Sequence, residues 1–153
     1  SDLRGYDALV AKNLAREVRP EFWDRGQLFA TAHGFLLSHA GVAAEFWHEA
    51  ESVEASLSQL WTNCREALAE VKKRRHLILE PGRVRGGDKQ ERGGITWQDW
   101  NLEFSDEDIP LPQIVGHTRS ASGARQQGRS WCLDGQQTCY GLLDADGLEV
   151  RSV

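Results

Sequence analysis

The apolar residues between Val53 and Val71 recur at helical spacing. Val53, Leu57, Leu60, Trp61, Cys64, Leu68 and Val71 fall on one stripe. This predicts the longest helix of the chain over about 53–75, with the stripe packed into a core. A second helical pattern over 2–18 puts Tyr6, Leu9, Val10, Leu14 and Val18 on one face. Ser1 or Asp2 can cap its start, and Pro20 breaks it before a short turn through Trp23. Elsewhere the period changes. Residues 28–32 and 35–39, joined at His33-Gly34, read as a hairpin whose second strand is mostly buried. Residues 113–116 read as a short buried strand ending at His117. The tail reads as strands over about 130–133, 139–143 and 148–152, with Asp144-Ala145-Asp146-Gly147 turning between the last two. The order is helix, hairpin, helix, loop, strand and meander. A mixed α/β fold is therefore expected, with one mainly β sheet and flanking helices, rather than a βαβ alternation.

Residues 81–94 are different material. Gly82, Gly86, Gly87, Gly93 and Gly94 alternate with Arg83, Arg85, Lys89 and Arg92, which predicts a long basic loop. Such loops in small domains are commonly functional. Trp97 and Trp100 follow, then an acidic stretch from Glu103 to Asp108. The basic run Lys72-Lys73-Arg74-Arg75-His76 is expected to close the long helix, where cations complement the helix dipole.

Charge and composition narrow the partners. A net charge of −5 without a basic stripe argues against a nucleic-acid duplex. No apolar stretch has the length of a membrane span and the N-terminus has no leader pattern, so no membrane partner and a cytoplasmic location are expected. Cys64, Cys132 and Cys139 are expected as reduced thiols, with a Cys132–Cys139 disulfide across a hairpin as the alternative. The chain has no methionine, even at position 1, which is expected where the start has been removed or where the chain is a piece of a longer protein.

Two segments share one design. Leu36-Leu37-Ser38-His39-Ala40-Gly41 and Ile114-Val115-Gly116-His117-Thr118 are apolar strands that end in a histidine among small residues. A histidine there is held by the sheet yet exposed at its rim, and small neighbours let a metal or phosphate approach. Imidazole suits Zn, Fe and Mn. A lone strand-end histidine is more often structural; two matching ones leave a structural role and a site equally open.

In that pair, and in their order along the chain, the sequence resembles the fourth and fifth motifs of the calcineurin-like metallophosphoesterases. The nearest likeness is to the branch of Ser/Thr protein phosphatases and bacterial diadenosine-tetraphosphatase-like enzymes. The resemblance runs from about residue 28 to the end. It implies a layered α/β sandwich holding two divalent metal ions (Mn, Fe or Zn), with His39 and His117 as ligands of the second. It implies metal-dependent hydrolysis of a phosphorylated substrate: a phosphomonoester, a phosphoprotein or a dinucleoside polyphosphate. Glu91-Arg92-Gly93-Gly94-Ile95-Thr96-Trp97 looks like the family's DRGVSF segment, which makes Arg92 the implied phosphate contact. The tail from Ser130 to Leu143 looks like the sheet-closing end of the bacterial enzymes. The family follows its last histidine motif with proline; here Arg119 stands there, as a further phosphate contact or a solvent-facing residue.

The motifs GDxHG, GDxxDRG and GNHE or GNHD, which carry the other ligands and the catalytic histidine in the family, do not occur. Residues 1–153 are accordingly expected to be the C-terminal part of one metallophosphoesterase domain. A further segment or a second chain would supply the missing half. The alternatives are a truncated, non-catalytic relative acting as a binding or interaction module, and an unrelated α/β domain with two chance histidine motifs.

Overall fold

The computed structural model describes residues 26–71 and 73–153; the helix expected over 2–18 and the turn through Trp23 lie outside them. The described chain is mixed α/β, one mainly β sheet with one α-helix. The hairpin forms as expected, β1 (Phe29–Ala32) and β2 (Phe35–Ser38), turned through His33 and Gly34 at positive φ. Then come α1 (Val53–Glu70), β3 (Gln113–Val115), β4 (Arg125–Gln127), β5 (Ser130–Cys132), β6 (Cys139–Asp144) and β7 (Gly147–Ser152).

The sheet order is β1-β2-β3-β5-β4, with β6 and β7 as a separate hairpin. Its centre is parallel: β2 pairs with β3 (Leu37 opposite Ile114) and β3 with β5 (Val115 opposite Cys132). The outer strands β1 and β4 are antiparallel to their neighbours. The central position of β3 explains its composition, since all three of its residues are buried. Gln113 is polar but spends its amide on the Val42 backbone, accepting from Val42 N at 2.8 Å and donating to Val42 O at 3.1 Å. That bond replaces a missing ladder partner and ties the segment after β2 to β3.

Helix α1 starts where Ser52 Oγ accepts from Ala55 N, satisfying one unpaired donor of the first turn. Its buried positions are Ser56, Leu60, Cys64 and Ala67, with Val53, Leu57 and Trp61 partly buried against the same core. The apolar stripe is therefore rotated from the expected one: Ala67 is inside, and Val71 is 55% exposed. Burial pushes the Cys64 thiol up to about 12, so it packs as a small hydrophobe. The helix also ends earlier than expected, at Glu70, and no cation stands in its last turn. Arg74 and Arg75 instead pair with Glu70 and Glu80, which turns part of the basic run into local surface pairs.

The core joins α1 to β1, β2 and the loops through Phe29, Leu36, Val42, Trp47, Leu60, Ile78, Ile95 and Ile109. A second cluster, Trp100, Phe104, Val115 and Cys132, lies by the carboxyl ends of β3 and β5. All three cysteines are free, Cys132 in the large sheet and Cys139 in the hairpin. Among the described residues no helix is long and apolar enough to cross a membrane.

The basic loop is more ordered than its glycines suggest. It holds the short turn Arg83–Arg85 and is stitched by Gly87 N to Gly82 O, Arg83 N to Glu91 O and Gly94 N to Glu80 O. A Cβ on Gly94 would lie 2.7 Å or less from the Ile78 and Leu77 carbonyl oxygens, so glycine here permits close backbone packing rather than mobility.

Candidate functional site

The central parallel strands aim their carboxyl ends the same way, and ligands of open α/β sheets gather at such ends. His39 follows β2 directly, and His117 lies just beyond β3. The two rings meet there. His39 Nε2 and His117 Nδ1 share a 2.9 Å hydrogen bond whose donor is set by the tautomer, with the ring centroids 4.8 Å apart. The backbones are joined as well, Gly116 N donating to His39 O at 2.9 Å.

Each histidine is fixed by its surroundings. After His39, Gly41 N donates to Ser38 Oγ at 3.1 Å. Gly41 itself has φ +118, and a Cβ there would lie 2.5 Å from Gln98 Oε1 and 3.0 Å from Phe104. The space that this small residue gives up is thus filled by packing and is not open to a ligand, unlike the sequence expectation. His117 has φ +66, a left-handed conformation costing a non-glycine residue about 1–3 kcal/mol that its surroundings must hold. Trp97 packs edge-on against its ring at 5.7 Å.

The electrostatics keep His117 neutral. Burial pushes its imidazole down to about 4, aided by the charges of His39 and Arg85 and opposed by Asp99 and Asp134. Its Nε2 is buried without a hydrogen-bond partner. A buried, unsatisfied ring nitrogen costs free energy in the chain by itself and is uncommon in native structures.

The four residues singled out from the sequence separate into two groups. His39 and His117 come together. Arg92 is engaged elsewhere: Nε and Nη2 donate to Glu45, and Nη1 to Asp108 at 2.7–2.8 Å and to Glu103 O at 3.2 Å. Glu45 first, then Asp108, holds its guanidinium above the usual arginine range, and Arg92 in turn lowers the Glu45 carboxyl. Arg119 is exposed and bonds to neither imidazole.

The cation beside the pair is Arg85, from the same glycine-rich loop. Its Nη2 donates to Thr118 Oγ1 at 3.0 Å and pairs with Asp99 at 2.8 Å, while its side chain stays 30% exposed. Nη1 and Nε have no partner among the described residues. Asp99 is nearly buried and accepts from Asn101 N and Leu102 N, so Arg85 rests on a rigid base. Sequence reasoning noted Arg85 only as one cation of a basic loop. The available signal was Thr118: a hydroxyl beside a strand-end histidine needs partners, and a cationic loop is a natural source.

Among the described residues no three side chains of His, Cys, Asp or Glu are grouped to hold a metal. The chemistry available is therefore two imidazoles, one of them firmly neutral, with a half-free guanidinium beside them. No protein-family model, curated protein or solved structure matches the chain.

Proposed function

We propose that this chain carries part of the site of a metal-dependent phosphoesterase of the calcineurin-like class, its sheet forming one layer of that fold. The reading rests on one observation above the others, the 2.9 Å separation of His39 Nε2 and His117 Nδ1. Two imidazole nitrogens brought this close could be shared by one divalent ion in place of their hydrogen bond. A neutral His117 also fits, because a neutral imidazole offers a lone pair without first shedding the second proton of an imidazolium.

In this reading His39 and His117 hold one divalent ion, Mn, Fe or Zn, and the other ligands and a second ion come with a further segment or a partner chain. Bound metal would acidify a water and draw charge from phosphoryl oxygens. The chain's own residues do the rest. Trp97 shields one side of the His117 ring, and Thr118 and Asp99 hold Arg85. The free arm of Arg85 binds a phosphoryl oxygen and offsets its charge. Arg92, which the resemblance makes the phosphate contact, is bound to two carboxylates, so Arg85 takes that role here.

The test has two parts. The coding sequence upstream of Ser1 should encode GDxHG, GDxxDRG and GNHE or GNHD; a stop codon there overturns the reading. The protein complete with that segment should hydrolyse p-nitrophenyl phosphate only with added Mn, Fe or Zn. Hydrolysis that persists after chelation rejects the metal.

A further inference from the structure

The direction of the His117 ring depends on an unusual turn. Thr118 N donates to Gly116 O at 2.7 Å around His117, whose φ is +66. That is the sign of the rarer, strained hand of the γ-turn. Relaxation of this backbone would swing Nδ1 away from His39, so something must hold the turn.

Two of its restraints come from the site already described: Gly116 N bonds to His39 O, and Thr118 Oγ1 accepts from Trp100 N and Arg85. Another comes from β4, two places across the sheet from β3. There Arg125 Nη2 donates to the carbonyl oxygen of Thr118 and lies 3.3 Å from Cys132 Sγ, while Nη1 donates to Asn101 Oδ1 at 2.6 Å. Cys132 is fully buried, its sulfur 3.4 Å from Gly116 O and 3.5 Å from Thr118 O. Arginine and thiol together thus grip both carbonyl groups that flank His117.

Arg125 is used unusually. Guanidinium is commonly spent on carboxylate or phosphate. No carboxylate among the described residues pairs with Arg125; each of its acceptors is neutral. Its Nε is buried with no partner, so the side chain gives up hydration to sit here. A charged donor on a backbone carbonyl makes a stronger bond than a neutral one. Restraint of the carbonyl next to a strained residue is a reason to place it there.

We propose that Arg125 is a positioning residue, holding the Gly116–Thr118 turn so that His117 Nδ1 faces His39. The proposal rests on reading that histidine pair as the functional site. Three variants of the full chain test it: Arg125→Ala, Arg125→Gln and Arg125→Lys. Nuclear Overhauser effects between the His39 and His117 rings report the geometry, circular dichroism the fold, and calorimetric titration with Zn2+ alone the binding. The Ala variant should show no such effects between the rings and bind Zn2+ at least tenfold more weakly. The Lys variant, which still offers a charged donor to Thr118, should recover most of both. Should Ala unfold the chain, the Gln variant serves instead, with the same expected loss. Ring-to-ring effects that survive in a folded Ala or Gln variant overturn the proposal, even if the melting temperature falls. A wild-type chain that binds no Zn2+, but whose rings separate in the Ala variant, upholds the positioning role and removes the metal reading.

Discussion

Two polar junctions lie a short way apart along this chain's loops, and they are built in opposite ways. At one, Arg92 meets Glu45, Asp108 and the Glu103 carbonyl, and every part of its guanidinium has a partner. At the other, His39 and His117 meet, yet His117 Nε2 has no partner and the neighbouring Arg85 keeps part of its guanidinium free. The first junction uses all its bonding capacity to hold distant segments together. The second leaves one ring nitrogen buried and unsatisfied, and on the partly exposed Arg85 it retains capacity that a ligand can use. Chemical function is better sought where polar groups are held but not satisfied, because satisfied groups are already committed to the fold.

The sharpest way to break this contrast is a reciprocal pair of variants, assayed together with the upstream segment that the proposed function requires. His39→Ala or His117→Ala should lower metal-dependent phosphomonoester hydrolysis by more than about 100-fold. The loss in unfolding free energy should stay under about 1 kcal/mol for His39→Ala, whose ring is exposed, and reach about 1 kcal/mol for His117→Ala, where an unsatisfied ring nitrogen is removed but the left-handed backbone remains. Arg92→Ala should do the reverse. It strands Asp108, whose side chain is 8% exposed, and Glu45 at 53%. A loss of about 2 kcal/mol in urea unfolding is expected, between the values for surface and buried pairs, with hydrolysis changed less than about threefold. Activity lost on Arg92→Ala with stability intact would return the phosphate contact to that residue.

Acid gives a smaller effect with a definite sign. The folded His117 imidazole titrates near 4, below its ordinary 6.5, so between those values the unfolded chain binds more protons than the native one. Its contribution to stability is complete above about pH 6.5 and is lost as the pH falls toward 4. The ring is only half-buried; allowing for solvent screening, about 1–2 kcal/mol is at stake. Unfolding midpoints measured across that window should fall for the wild type and fall less for His117→Asn. Parallel pH curves for the two would show that burial does not hold this ring neutral.

These two junctions also separate what was legible in the sequence from what was not. The histidines were legible because strand periodicity is local: an apolar run followed by His and small residues puts the ring at a strand end whatever surrounds it. That β2 and β3 are parallel neighbours, which brings the rings together, depends on pairing across the long stretch between them. The pairing of Arg92 was not legible for the same reason. Its motif is local, but its partners Glu45 and Asp108 come from other segments, and no spacing rule announces them. Strand β4 went unread because Arg125-Gln126-Gln127 has no apolar alternation; it is an edge strand held by its pairing with β5. Helix α1 was found, but a serine and an alanine, Ser56 and Ala67, took core positions that hydrophobicity alone would not assign.

Arg85 gives the smallest and most specific test, because its pairing with Asp99 and its proposed phosphate contact can be separated. Toward Asp99 it needs only positive charge; toward a phosphoryl oxygen it needs the planar fork that stays put when one arm is tied. Alanine would remove both at once and strand a nearly buried carboxylate. Lysine removes only the second, since an ammonium can still approach Asp99 but cannot hold Thr118, Asp99 and an anion in one rigid plane. Arg85→Lys should therefore leave the unfolding midpoint near wild type. It should weaken competitive inhibition by inorganic phosphate about fivefold, or ~1 kcal/mol. An unchanged inhibition constant would reduce Arg85 to a structural partner of Asp99. A lowered midpoint with unchanged inhibition would go further: the two junctions would then differ less than their geometry suggests, with Arg85 serving the fold as Arg92 does.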